Sequence, residues 1–244
     1  MTKRMMLALF ACNRPEFLKP CLQSVYSLQG DIEPHIFMDA GREEPECQEI
    51  VRTSYLAHHI EADRKGLGYQ RRKALKLFLS RPETGDFFVM ADADVVTGPE
   101  TLELLREELD FWWNAGVFVG MLCCGLQLHT MHCERTMVSR HEIIRGHGGE
   151  TFAMLPRPVL EQTGVAISDK MLGATAQLKN TLQRLGFPRA IQVAPMPPVQ
   201  HIGAFKTVLS PQWTPADLLF RGIDGLPLNP RPDLYNVQEE LGTT

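Results

Sequence analysis

Two hydrophobic rhythms alternate through the first part of the chain: short unbroken apolar runs, and longer stretches in which apolar residues recur every three or four positions. Met5-Met6-Leu7-Ala8-Leu9-Phe10-Ala11 is an unbroken run, the pattern of a parallel strand covered on both faces. Pro15 then suits a first helical turn, and Phe17, Leu18, Cys21, Leu22 and Val25 follow at helical spacing. His35-Ile36-Phe37-Met38 predicts a second strand ending at Asp39, with a loop from Gly41 onward. Residues 71–79 form a basic amphipathic helix, and Asp86-Phe87-Phe88-Val89-Met90 a third strand that runs out at Asp92. Strand, helix, strand, helix, strand predicts a doubly wound α/β sheet, whose ligands bind beyond the carboxyl ends of its strands.

The second half is less regular. Residues 116–126 read as a buried strand, His147-Gly148-Gly149-Glu150 as a tight loop, and residues 172–185 as a helix stopped by Gly186. Beyond Ala190 the prolines crowd (Pro195, Pro197, Pro198, Pro211, Pro215), which predicts a tail laid over the surface instead of a further domain. There is no internal repeat and no low-complexity segment.

Composition adds limits. With 244 residues and 44% hydrophobic positions the chain can fill a sizeable core. A formal charge of −4 gives no argument for sequence-independent binding to nucleic acid, although a local basic patch is compatible with it. Cys12, Cys21, Cys47, Cys123, Cys124 and Cys133 form neither CxxC pairs nor a regular framework, so reduced thiols in a cytoplasmic protein are expected and a zinc site is not. The start, MTKRMMLALFAC, has a basic end and an apolar run, but the run stops after about seven residues, at the low limit for a signal core, and Asn13-Arg14-Pro15-Glu16 is a poor cleavage region, so a buried first strand is expected. No stretch approaches the ~18 apolar residues that a bilayer crossing needs, so neither a span nor a helical anchor is expected.

The candidate chemistry begins at Asp92-Ala93-Asp94, directly after a strand. Two carboxylates two residues apart at a strand exit can reach one hard cation, and Mg²⁺ or Mn²⁺ binds through one or two carboxylates plus phosphate oxygens. A solvated acidic turn ahead of the helix from Pro99 is the alternative. The neighbours bear on the choice. Leu7 to Phe10, Asn13-Arg14-Pro15, the helix with Cys21-Leu22 and Ser24, the strand ending in Asp39, Gly66 with Arg71, and Met90-Ala91-Asp92-Ala93-Asp94 occur in the order and spacing of the family 2 glycosyltransferases. The first half of the chain, roughly residues 5–110, resembles that family, and a looser resemblance continues to about residue 205.

The resemblance implies an α/β chain with the GT-A (nucleotide-diphospho-sugar transferase) fold, a mostly parallel central sheet flanked by helices. It implies a catalytic domain over residues 1–205, with a nucleotide-binding half (1–110) and a donor-sugar and acceptor half (111–205), before a surface tail at 206–244. Ala11, Asn13, Arg14 and Asp39 take the positions that hold base and ribose, and Gly66 and Arg71 those that pack on the nucleotide; for Asp39 a turn-capping role is the alternative. Arg72 and Lys73, beside Arg71, read equally as a solvated helix face. His147-Gly148-Gly149 takes the place of a glycine-rich loop against the donor sugar, followed by Phe152-Ala153-Met154 and a strand-to-helix passage at Arg157. Asp92 and Ala93 lie on the donor, Asp92 and Asp94 on the metal, and His201, in Gln200-His201-Ile202-Gly203, takes the position of the histidine that joins it.

One position departs from the family. Where inverting members carry an acidic pair before a helix, this chain has Gly173-Ala174-Thr175-Ala176. The nearest acids are Asp169 and Glu150, either of which would serve as the acceptor's base; Asp169 as a helix N-cap, with a retaining reaction that uses no dedicated base, stays open. The expected cofactors are Mn²⁺ or Mg²⁺ and a nucleotide-sugar donor, a UDP-sugar by resemblance. The acceptor is a hydroxyl on a soluble glycan, metabolite, protein or hydroxymethylated pyrimidine in DNA, the last suggested by Arg64, Lys65, Arg71, Arg72, Lys73 and Lys76. Two other readings remain: a nucleotidyltransferase, although Asn13-Arg14-Pro15-Glu16 lacks that class's glycine-rich loop, and an inactive sugar-nucleotide-binding protein.

Overall fold

The computed structural model describes residues 4–124, 126–127, 134–138, 141–145, 151–168, 175–192 and 199–201. All seven residues of β1 (Met5–Ala11) are buried. Side chains alternate along a strand, so Met5, Leu7, Leu9 and Ala11 enter one apolar layer and Met6, Ala8 and Phe10 the other. That two-sided burial is why the run is unbroken in the sequence.

Parallel to β1 lie β2 (Ile32–Met38) on one side and β4 (Phe87–Asp92) on the other, and β3 (Ala57–Ile60) extends the sheet beyond β2. Next to β4 comes β10 (Phe152–Pro156), antiparallel to it and to β6 (Met121–Cys124). Then follow β11 (Arg189–Gln192), parallel to β6, and β9 (His141–Arg145) and β8 (Glu134–Val138), each antiparallel to its predecessor. Among the described residues the order is β3-β2-β1-β4-β10-β6-β11-β9-β8, and only β10 and β9 run against the rest. A small second sheet joins β5 (Val95–Thr97), β12 (Val199–His201) and β7 (Leu126–Gln127).

Helices cover both faces. Leu18, Cys21, Leu22 and Val25 of α1 (Pro15–Ser27), Cys47 and Val51 of α2 (Pro45–Arg52), and Leu102, Leu105, Leu109 and Trp112 of α4 (Thr101–Asn114) fill one layer. The other holds Ala74, Leu75 and Phe78 of α3 (Leu67–Ser80), Val159 and Leu160 of α5 (Arg157–Thr163), and Leu178 and Leu182 of α6 (Ala176–Arg184). This is the α/β arrangement expected from the sequence: a mixed, mostly parallel sheet between helices, with GT-A architecture.

Two local expectations are corrected. The segment from Gly41 is not simply a loop, since it contains α2 and β3. The strand read at 116–126 begins only at Met121, as β6 (Met121–Cys124), and Leu126 already belongs to β7: Gly116 has φ 79 and closes α4, its N–H donating to the Trp113 carbonyl at 3.0 Å, and a Cβ on Gly120 would lie 2.7 Å from Phe187 Cβ. Gly186 does end a helix, at φ 80 after Ala176–Arg184; residues 172–174, the start of the helix expected there, lie outside the described residues.

Arg157 ties β10 to the far end of α3. Its guanidinium donates to the carbonyls of Gly85 (2.6 Å), Phe78 and Arg81 (3.2 Å each) and to Thr84 Oγ1 (3.0 Å), and lies 3.9 Å above the Phe78 ring. One side chain thereby adds to the hydrogen bonds that the turn after α3 makes to the Phe78 and Arg81 carbonyls.

Candidate functional site

The carboxyl ends of β1 and β4 are neighbours, and the two chains leaving them wall a cleft. Asn13 and Arg14 come from the first and Asp92, Ala93 and Asp94 from the second. Phe10, Phe17 and Leu67 give it apolar walls, and the space between the walls amounts to about 550 Å³, open solvent included. The backbone holds the two loops together. Ala93 N–H donates to the Phe10 carbonyl at 3.0 Å, and Asp92 N–H to the Thr151 carbonyl at 2.9 Å.

Both carboxylates are met by arginines. Arg71 Nη2, from α3, donates to Asp92 Oδ1 at 2.8 Å, while its guanidinium carbon lies 5.7 Å from the centre of the Phe10 ring. Arg14 Nη1 donates to Asp94 Oδ2 at 3.2 Å, with its guanidinium carbon 5.7 Å from the Phe17 ring. Arg71 is 3% exposed. The Asp92 side chain is 27% exposed, so the pair is half-buried, and the desolvation of Arg71 offsets part of its attraction.

Asp39 follows directly on β2 and makes the turn-capping contacts of its alternative reading. Its carboxylate accepts the N–H groups of Lys65 and Gly66, each at 2.7 Å, and its own N–H donates to the Ala11 carbonyl at 2.9 Å. Gly66, at φ 92, is the N-cap of α3. Asp39 thus caps the turn that launches α3 and links it to the end of β1, bringing Ala11, Asp39 and Gly66 together beside the cleft. An aspartate accepting two backbone N–H groups is a strong clamp.

His201 reaches the same neighbourhood through its strand. β12 lies antiparallel to β5 with His201 opposite Val95, the residue after Asp94. His147, Gly148, Gly149 and Glu150 lie outside the described residues, as does Asp169; Thr151, which follows the first four, is the residue hydrogen-bonded to Asp92. At the start of α6 stands Thr175, fully buried, its hydroxyl without a hydrogen-bond partner among the described residues. Among the described residues no three His, Cys, Asp or Glu side chains are gathered in a way that could hold a metal ion.

Sequence reasoning passed over Cys12, which lines the cleft and accepts a hydrogen bond from Arg64 Nη1 at 3.4 Å. Burial pushes its thiol up, partly offset by the Arg64 charge. It also passed over the intrachain partners of the basic cluster: Arg64 pairs with Glu43 at 3.1 Å and Lys73 with Glu61 at 2.6 Å. Among the described residues no helix is long and apolar enough to cross a membrane.

A search of curated proteins gives no match. Among solved structures the chain resembles the crystal structure of S. aureus TarS 1-349, with a TM-score of 0.54 and 12% identity over 81% of this chain and 60% of that one. The crystal structure of S. aureus TarS matches with a TM-score of 0.53 and 13% identity over 81% of this chain and 36% of that one. The chain therefore spans about 60% and 36% of the lengths of these two structures, and the likeness is one of fold. The model of the family described as Glycosyl transferase family 2 matches residues 7–162. With its match running from β1 through most of α5, well over half of the sequence, the chain belongs to glycosyl transferase family 2.

Proposed function

We propose that this chain transfers a sugar from a nucleotide-sugar donor, a UDP-sugar, to an acceptor hydroxyl, with a divalent cation at Asp92-Ala93-Asp94. Membership in the family supports glycosyltransferase activity. The observation that carries it is the cleft itself, where two carboxylates and two arginines meet at the carboxyl edge of parallel strands. Sheets of this kind bind nucleotides at that edge.

The donor set fits Mn²⁺ or Mg²⁺. Asp92 and Asp94 offer hard oxygens, and such ions take one or two carboxylates and complete their shell with phosphate oxygens and water, so three gathered protein ligands are not required. His201, entering beside Val95, is the proposed additional ligand. When bound, the cation would neutralise charge on the departing diphosphate. Arg14 and Arg71 would meet phosphate oxygens with their planar forks. Ala11, Asn13 and the clamp formed by Asp39 and Gly66 would bound the base and ribose, and His147-Gly148-Gly149 the sugar. Asp169, with Glu150 as the alternative, would accept the acceptor's proton.

The acceptor is a hydroxyl of a glycan, metabolite, protein or modified DNA base. The ion pairs of Arg64 and Lys73 favour an intrachain explanation of the basic cluster over nucleic-acid phosphates. A second reading, a binder without turnover, draws on Thr175, which stands where an acid would be expected ahead of α6.

Incubation with a panel of nucleotide sugars and Mn²⁺ should release a nucleoside diphosphate. Binding without release favours the binder, and pyrophosphate released from a triphosphate favours a nucleotidyltransferase. Asp94→Ala should lower Mn²⁺-dependent UDP affinity by at least about tenfold with an unchanged melting temperature, since the residue lies outside the core. Wild-type affinity in that variant would remove the site.

A further inference from the structure

Arg14 holds a backbone conformation that its residue type disfavours. Its φ and ψ are 66° and 67°, and among the described residues the one other non-glycine position with positive φ is Ala40. A left-handed backbone crowds an L side chain, and the residue before a proline, here Pro15, is normally pushed to the extended region. Strain of this kind persists where surrounding structure over-determines it, and it gathers at binding sites. The conformation coincides with a guanidinium that reaches over Phe17 to Asp94 Oδ2 at 3.2 Å.

Resting on the functional reading above, which gives Asp94 to a divalent cation, we infer that Arg14 is a displaceable counter-ion. It holds Asp94 while the cleft lacks donor, and passes to the donor's diphosphate when the cation takes the carboxylate. A guanidinium and a divalent cation repel each other across one carboxylate. A diphosphate supplies the anion that draws the arginine away. The two arginines differ in their freedom to do this. The Arg71 side chain is 4% exposed, which suits a fixed partner for Asp92, whereas that of Arg14 is 29% exposed. The consequence is coupling: the cation binds weakly alone, and the diphosphate raises its affinity by as much as the cation raises that of the diphosphate.

The test is Mn²⁺ titration, by electron paramagnetic resonance or calorimetry, with and without UDP, on wild type, Arg14→Gln, Arg14→Lys and Asp94→Ala. Thermal unfolding checks each variant, and Arg14→Gly, free of left-handed strain, serves as a second neutral variant. Mn²⁺ alone should bind Arg14→Gln and Arg14→Gly roughly tenfold tighter than wild type, while Arg14→Lys, which keeps the charge, stays near wild type. The enhancement of Mn²⁺ affinity by UDP should shrink by the same factor in the neutral variants. If they bind Mn²⁺ alone no tighter than wild type, while wild type binds Mn²⁺ with UDP and Asp94→Ala does not, the site stands and the counter-ion role falls. If Asp94→Ala binds Mn²⁺ with UDP as wild type does, the metal reading is wrong and the counter-ion role falls with it.

Discussion

Gly85 illustrates how much a single backbone position can carry. At φ 109 it lies in a region that L side chains rarely adopt, and a Cβ built there would stand 2.0 Å from the Arg4 carbonyl oxygen. Its own carbonyl accepts the 2.6 Å hydrogen bond from Arg157. Because the obstacle is backbone, relief requires moving β1 or the turn before β4. Gly85→Ala is therefore expected to destabilise the fold by about 3 kcal/mol or more, with Gly116→Ala, where φ is 79 but nothing lies within 4 Å of a new Cβ, losing about 1 kcal/mol. Thermal unfolding of the two variants checks the contrast; equal losses would mean that conformation alone, not the clash, sets the effect. At this scale the sequence was informative where charge stood out: Asp92, Asp94, Arg14 and Arg71 were recognisable before their contacts were known. Phe10 was not, because a residue that both fills the core and lines the cleft reads simply as core. For Asp39 a capping role was legible but its partners, Lys65 and Gly66, were not, since a side chain pairing with distant backbone leaves no periodic trace.

At the scale of elements, β1, α1, β2, α3 and β4 were legible because their apolar residues recur with the period of the element. α2 was not, since Cys47 and Val51 are its only buried residues in a charged octapeptide; nor was β3, a short edge strand, AHHI, with no buried residue. The start of β2 was missed at Ile32-Glu33-Pro34, where pairing with β3 has not yet begun: the β2–β3 register opens at His35 opposite Ala57, so Pro34 needs no hydrogen bond on that side. This edge carries a pH dependence. His59 stacks on Phe37 with ring centres 4.4 Å apart and lies 3.1 Å from His35, whose other ring nitrogen meets Glu33 at 2.9 Å. Burial foremost, then the charges of His35, Lys73, His58 and Arg81, lowers His59 to about 4. An unfolded histidine takes a proton near pH 6.5, whereas the folded one stays neutral until about pH 4. The unfolded state therefore binds more protons in that window, and stability is present above it and lost as pH falls through it. The melting temperature should drop between pH 7 and 4.5, and drop less in His59→Gln. Parallel pH profiles for the two proteins would show that His59 contributes nothing.

For the whole molecule, strand, helix, strand repetition indicated the parallel sheet, and motif order indicated the family. What could not be read was the reversal in the middle of the sheet. β10 enters antiparallel between β4 and β6, and its buried run Phe152–Pro156 carries no mark of its direction or neighbours. That insertion has a consequence for how the chain comes together. β1 to β4 can pair from neighbouring sequence as soon as they exist, yet the free edge of β4, the strand that leads into Asp92, waits until α4 and every residue up to Phe152 has been made. Contacts so distant along the chain form slowly, and an apolar strand left with one open edge is a template for pairing with other chains. During synthesis the half-built sheet of β1 to β4 is thus the part most exposed to misassembly, and the arrival of β10 both closes that edge and, through Thr151, draws Asp92 into place.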